Sequence, residues 1–224
     1  MQIDIVTGLP KLLRSPLNDS IIRQAKKKEL VSIRVHDLRK YTHDKHKTID
    51  DTPYGGGAGM VLKPEPIFEC IESLQKKRRY DEVIYLTADG ELFNQKIANQ
   101  LSLEKNLLLL CGHYKGIDER IRQKLITKEI SIGDYVLTGG ELAALVVVDA
   151  LVRLIPGVLG DSESMLTDSF QENLLDCPYY TKPKVYQGMQ VPEVLLSGDH
   201  KKIEIWRQAQ RVERTKYRRK NLLS

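Results

Sequence analysis

Leu107-Leu108-Leu109-Leu110-Cys111-Gly112-His113-Tyr114-Lys115-Gly116 joins an unbroken apolar run to a polar turn bracketed by glycines. The run reads as a strand, and Cys111 inside it reads as core. The glycines at its end lack a Cβ and so permit close backbone approach to a ligand. Residues 3–7, 31–35 and 83–87 read as further strands, while 19–28, 64–76, 94–102 and 117–126 read as helices. Alternation of this kind predicts an α/β domain with a mostly parallel sheet, covered by helices and binding ligands at the carboxyl ends of its strands.

Two more segments extend that reading. Strand 83–87 ends in Tyr85-Leu86-Thr87-Ala88-Asp89-Gly90. The loop 131–141, Ser-Ile-Gly-Asp-Tyr-Val-Leu-Thr-Gly-Gly-Glu, runs into an apolar helix over 141–154 that Pro156-Gly157 terminates. With Tyr54-Gly55-Gly56-Gly57-Ala58-Gly59, three glycine-rich segments fall in one domain. Each alone reads more simply as a tight turn, but together they point to a pocket. None matches GxGxxG or GxxxxGK[ST], which argues against an ordinary dinucleotide site or a P-loop. Residues 160–173 are polar and turn-forming, so an interdomain linker is expected there between a domain over 1–159 and a small, mainly helical one over 174–224.

With 224 residues, 41% of them hydrophobic, the chain can bury a core. Its longest apolar stretch, 142–159, is interrupted by Asp149, Arg153 and Pro156, and no basic region followed by an apolar run opens the chain. A soluble protein without a membrane span or leader is therefore expected. Cys70, Cys111 and Cys177 support neither a disulfide framework nor a zinc site, which suits a reducing cytoplasm. His43 and His46 with Asp44, Asp50 and Asp51 lack the usual zinc spacing and read as a polar loop facing phosphate, with no metal expected. The net charge of +5 is concentrated: residues 199–224 hold nine Lys/Arg against three acids, a balance of +6 that leaves the remainder at −1. Arg207, Arg211, Arg214 and Arg218 share one face if that segment is helical, either as a stripe for a polyanion or as an ordinary solvated surface.

The quoted segments, with Asp50 to Met60, Ile155-Pro-Gly-Val-Leu-Gly160, Asp168-Ser-Phe170, Leu175-Asp-Cys-Pro178 and Val194-Leu-Leu-Ser-Gly198, together resemble the bacterial tRNA (guanine-N1)-methyltransferases over nearly the whole chain. The resemblance implies the SPOUT architecture, with a deep C-terminal trefoil knot, a homodimer with shared active sites, and transfer of a methyl group from S-adenosyl-L-methionine to the guanine 3′ of the anticodon. By matching positions, the donor pocket is expected from Tyr85, Leu86, Thr87, Ala88, Gly112, Tyr114, Ile132, Gly133, Asp134, Tyr135, Val136, Leu137, Gly139 and Gly140. Asp176 is expected to receive the donor's amino group, the more so because Lys115 stands where the family commonly has glutamate. The tRNA anticodon stem-loop is expected at His46, Gly55, Gly57 and Gly59 and at the arginine stripe, and Mg2+ is a further candidate cofactor.

Guanine N1 is a poor nucleophile while protonated, so the reaction needs a base and a group to stabilise charge building toward O6. Asp168 matches the family's catalytic aspartate and Arg153 its charge-stabilising arginine. Read without the family, Asp168 would be a helix N-cap or a turn residue and Arg153 a cation at a helix C-terminus. Two rival readings share parts of this pattern. A ribose 2′-O-methyltransferase of the same superfamily needs no base-directed carboxylate, and a catalytically silent RNA-binding protein would not retain the donor.

Overall fold

The computed structural model describes residues 1–160 and 168–223; residues 161–167 of the expected 160–173 linker, and Ser224, lie outside the described residues. The chain divides into two compact units, Met1–Gly160 and Asp161–Ser224.

In the first unit the elements run β1 (Gln2–Thr7), α1 (Lys11–Arg14), α2 (Ser20–Lys27), β2 (Ser32–Asp37), β3 (Asp50–Asp51), β4 (Val61–Leu62), α3 (Pro64–Gln75), β5 (Glu82–Leu92), α4 (Gln95–Ser102), β6 (Asn106–Cys111), α5 (Glu119–Leu125), β7 (Lys128–Ser131) and α6 (Glu141–Val152). Local chemistry sets the helix starts. Asn94 accepts a hydrogen bond from the Ile97 N–H at 3.1 Å, Asp118 accepts from the Arg120 N–H at 3.0 Å, and α3 begins on Pro64, whose missing N–H costs nothing at a first turn.

Five strands form one sheet in the order β2-β1-β6-β5-β7, every pair parallel. Side chains alternate across it. Ile3, Ile5, Leu107, Leu109, Ile84, Leu86 and Ile130 pack with α1, α2, α4 and α6, whereas Val6, Leu108, Leu110, Val83 and Tyr85 pack with α3 and α5. The buried Glu141 opens α6, and its carboxylate accepts the Thr7 hydroxyl at 2.6 Å, fastening that helix to β1. On the opposite layer Asp4, 1% exposed, receives the Tyr80 hydroxyl at 2.7 Å and meets His36 Nε2 at 2.6 Å.

Two features of the sheet differ from expectation. β7 is an additional edge strand: Lys128-Glu129-Ile130-Ser131 offers only Ile130 to the core, so it lacks the apolar run that marks an interior strand. β5 continues past 87 to Leu92, but its pairing shifts, with Leu86 and Glu91 both opposite Ile130, so 87–90 form an excursion beside the sheet end. Gly90 permits the return, since a Cβ there would stand 2.5 Å from the Ile130 nitrogen.

The second unit holds the segment 168–177, a hairpin of β8 (Val185–Tyr186) and β9 (Met189–Gln190), α7 (Glu193–Leu196) and the long α8 (His200–Arg218). Gln187 and Gly188 both have positive φ, the conformation that a two-residue hairpin turn demands. Asp199 caps α8 by accepting from the Lys202 N–H at 3.2 Å.

Candidate active site

At the carboxyl ends of β5, β6 and β7 three loops enclose one cleft. Its lining takes in Tyr85, Leu86, Thr87 and Ala88 from the first loop, Gly112, His113, Tyr114, Lys115 and Gly116 from the second, and 130–140 except Asp134 from the third. The expected donor residues of the first unit therefore meet in one place, with Asp134 exposed on the same loop. His113, Lys115, Gly116, Ile130, Ser131, Thr138 and Ala143 also line it; most of these lie inside segments already marked by their glycines, but Ile130 and Ala143 belong to a strand and a helix and carry no such signal.

The loops are held together by backbone. The Gly140 N–H donates to the Gly112 carbonyl at 2.8 Å, and His113 and Gly139 form an antiparallel bridge. A Cβ on Gly140 would lie 2.9 Å from the Cys111 Cα and 3.0 Å from the Gly112 nitrogen, both backbone atoms, so a side chain would force the loops apart. The first loop is tied by charge. Arg122 of α5 clamps Glu129 with two hydrogen bonds of 2.8 and 2.5 Å, and its Nη2 also donates to Asp89 at 2.8 Å. The Thr87 hydroxyl donates to the same Asp89, and the Arg122 guanidinium lies 5.6 Å from the centre of the Tyr85 ring. Thr87 and Arg122 together hold the Asp89 carboxyl below the usual carboxylate range, while burial pushes the Tyr85 phenol up.

A second structure adjoins the cleft. β3 and β4 form a short antiparallel ladder, and 54–59, which includes Gly55, Gly57 and Gly59, is the exposed loop between them. The ladder is seamed to the cleft's second loop, because the Lys115 N–H donates to the Met60 carbonyl and the Leu62 N–H to the Gly116 carbonyl, both at 3.0 Å. The Lys115 side chain lies against Gly59. His46 is exposed beside Asp44, which accepts its N–H at 3.1 Å and the Thr48 hydroxyl at 2.8 Å.

Other expected residues stand apart. Arg153 caps the C-terminal end of α6, whereas Gly140 precedes its first turn, so helical rise alone separates them by about 20 Å. Arg153 does not line the cleft; it borders a depression with Pro16, Asp19, Val146 and Asp149. Along that outer side of α6, Leu142 and Val146 are 55% and 48% exposed. Asp168 and Asp176 both lie in the second unit. The Asp176 carboxylate is engaged there by the Tyr179 hydroxyl at 2.7 Å and the Cys177 N–H at 2.6 Å.

The arginine stripe needs correction. Arg207 and Arg218 are exposed, but Arg211 is only 6% exposed and faces Glu172. The spacing does place the four on one side of α8, yet spacing cannot say which side faces inward, and this one partly covers the segment 168–177.

Comparison with known proteins supplies the deciding observation. The family model described as tRNA (Guanine-1)-methyltransferase TrmD matches residues 1–224. The chain belongs to that family. A relative from Chlorobaculum tepidum named tRNA (guanine-N(1)-)-methyltransferase is 57% identical over 223 residues, covering 100% of this chain and 97% of its own. Relatives of the same name from Azobacteroides pseudotrichonymphae and Bacteroides thetaiotaomicron are 59% and 58% identical; the matches cover 99% and 100% of this chain, and 100% and 99% of theirs. The cleft's walls combine the apolar Leu86, Ile132 and Leu137 with the polar Thr87, His113, Ser131 and Thr138, and Gly112 and Gly140 bring the backbone close. Among the described residues no helix is long and apolar enough to cross a membrane.

Proposed function

We propose that the protein transfers the methyl group of S-adenosyl-L-methionine to N1 of the guanine immediately 3′ of the anticodon in tRNA, giving 1-methylguanosine in the cytoplasm. The observation that carries this reading is the three-loop cleft at the ends of β5, β6 and β7, seamed to the exposed glycine loop 54–59. The donor supplies a sulfonium methyl already activated for displacement. The chain's residues supply the rest: the cleft orients the donor, and the glycine loop with His46 admits the anticodon loop. Asp168 accepts the N1 proton, and Arg153 stabilises the charge that develops toward O6.

Two copies share each site in this reading. The span of about 20 Å along α6 keeps Arg153 from the cleft of its own chain, and the half-exposed Leu142 and Val146 beside it suit burial against a second copy. The trefoil knot, the RNA-contacting role of 174–224, the exposed Arg207 and Arg218 as phosphate contacts, Asp176 as a donor contact and assistance by Mg2+ belong to the same proposal, on the strength of family membership.

Nucleoside mass spectrometry of tRNA incubated with the protein and isotope-labelled donor tests the reaction. Label in 1-methylguanosine is expected; label in a 2′-O-methylated nucleoside, or none, overturns it. Asp168→Asn is expected to lower the single-turnover rate about 10²- to 10⁴-fold without loss of donor binding, because an amide does not accept the proton.

A further inference from the structure

The inward side of α8 is built around the segment that carries Asp168. The Thr215 hydroxyl, fully buried, accepts the Leu175 N–H at 2.8 Å while donating to the Arg211 carbonyl at 2.7 Å. Arg211 Nη1 donates to Glu172 at 3.4 Å, and the Arg219 guanidinium stands 5.6 Å from the centre of the Phe170 ring. The segment also closes on itself: the Phe170 N–H donates to the Leu174 carbonyl at 2.8 Å and the Asp176 N–H to the Ser169 hydroxyl at 3.0 Å. Phe170 has a φ of 77°, a left-handed backbone that a bulky residue keeps only where surrounding contacts impose it; Asn173, at 56°, is of a type that adopts this region more readily.

Arg211 is a costly way to fill such a position. It is 6% exposed, its acidic partner Glu172 has a 65% exposed side chain, and its Nε and Nη2 have no hydrogen-bond partner among the described residues. An apolar side chain of similar volume would satisfy the packing without burying charge. Its Nη1 is shared between Gln208 Oε1 of the same helix at 3.3 Å and Glu172, four residues beyond Asp168, so what the guanidinium adds beyond its own helix is a tie to Glu172.

We propose that Arg211 is a positioning residue for the methyl transfer: through Glu172, and with Thr215 alongside, it sets the 168–174 turn that aims the Asp168 carboxylate. The proposal rests on Asp168 being the general base. It separates Arg211 from Arg207 and Arg218, whose exposed charges suit phosphate.

Single-turnover rates at saturating tRNA and donor, together with tRNA affinity at several salt concentrations, test it. Arg211→Met is expected to lower the rate about 10- to 100-fold, the scale of a small misplacement of a reacting group, with tRNA affinity and its salt slope essentially unchanged. Arg211→Met added to Asp168→Asn is expected to cost no further rate, because Arg211 acts through that carboxylate. Glu172→Gln, a surface change that spares folding, is expected to reproduce a smaller loss of about 3- to 10-fold and covers the case in which Arg211→Met does not fold.

A wild-type rate for folded Arg211→Met, or for Glu172→Gln where Arg211→Met is unfolded, overturns the inference while an inactive Asp168→Asn leaves the general base standing. Weaker tRNA binding with a shallower salt slope in Arg211→Met makes it a phosphate contact instead. An Asp168→Asn enzyme that keeps its rate overturns the general-base reading itself, and this inference with it.

Discussion

Around the cleft, glycines at the loop ends stand among polar side chains such as Thr87, His113, Lys115 and Thr138, and the loops are tied by the Gly140–Gly112 backbone hydrogen bond and by Arg122. Along α8, the exposed residues include the cations Arg207, Lys216 and Arg218 beside the apolar Ile205 and Tyr217, and contacts from Arg211 and Thr215 reach the 168–177 segment. In the first region a Cβ at Gly140 would meet backbone, and in the second Arg211 buries a charge beside Glu172. In the proposed function the first region would recognise the donor by shape, and the second would meet RNA through the placement of its charge.

Gly140→Ala tests the contrast most severely. A methyl group 2.9 Å from the Cys111 Cα must displace backbone, so donor affinity is expected to fall by about 1–3 kcal/mol, roughly 5- to 150-fold, measured by calorimetric titration. Unchanged affinity would mean that the loops yield freely.

Arg122→Ala asks whether the cleft depends on charge as well as shape. Loss of its ties to Asp89 and Glu129 is expected to weaken donor binding about 2- to 10-fold, the scale of a net hydrogen bond, with kcat at saturating donor unchanged. An equal fall in kcat would place Arg122 in the chemical step.

Asp4 reports on the scaffold beneath the cleft. Burial alone would raise its carboxyl, but the hydrogen bonds with His36 and Tyr80 and the nearby Arg78 charge outweigh this and hold it below the ordinary 3.8. The stability it contributes is therefore fully present above pH 3.8 and lost as pH falls through the lowered folded value. Chemical unfolding from pH 5 down to pH 3 should show a steeper loss in the wild type than in Asp4→Asn; parallel curves would remove Asp4 from the acid response.

The smallest effect is expected at the exposed end of α8. Arg218→Gln should reduce the salt slope of tRNA binding by about 0.7 to 0.9 and leave donor affinity untouched. A slope equal to the wild type would make Arg218 a solvated charge.

Legibility followed the same division. Each glycine-rich strand end carried its own signal, and Gly112, Gly139 and Gly140 line the cleft as expected. β7 escaped because an edge strand with one inward residue leaves no run to read. Arg211 escaped because a periodic row of arginines has the same spacing whether it faces water or Glu172.

By itself the sequence determined the alternation of β1, β2, β5 and β6 with helices, the positions where backbone must approach closely, and, through motifs spanning the chain, the family. These are local properties: apolar period, missing Cβ and residue order survive without a third dimension. Only the tertiary structure decided that Ile130 and Ala143 join the cleft wall, that Arg153 stands at the far end of α6 from it, and that Arg211 is buried while Arg218 is exposed. Those outcomes depend on which surfaces are covered by segments remote in the chain, and neither composition nor spacing records that.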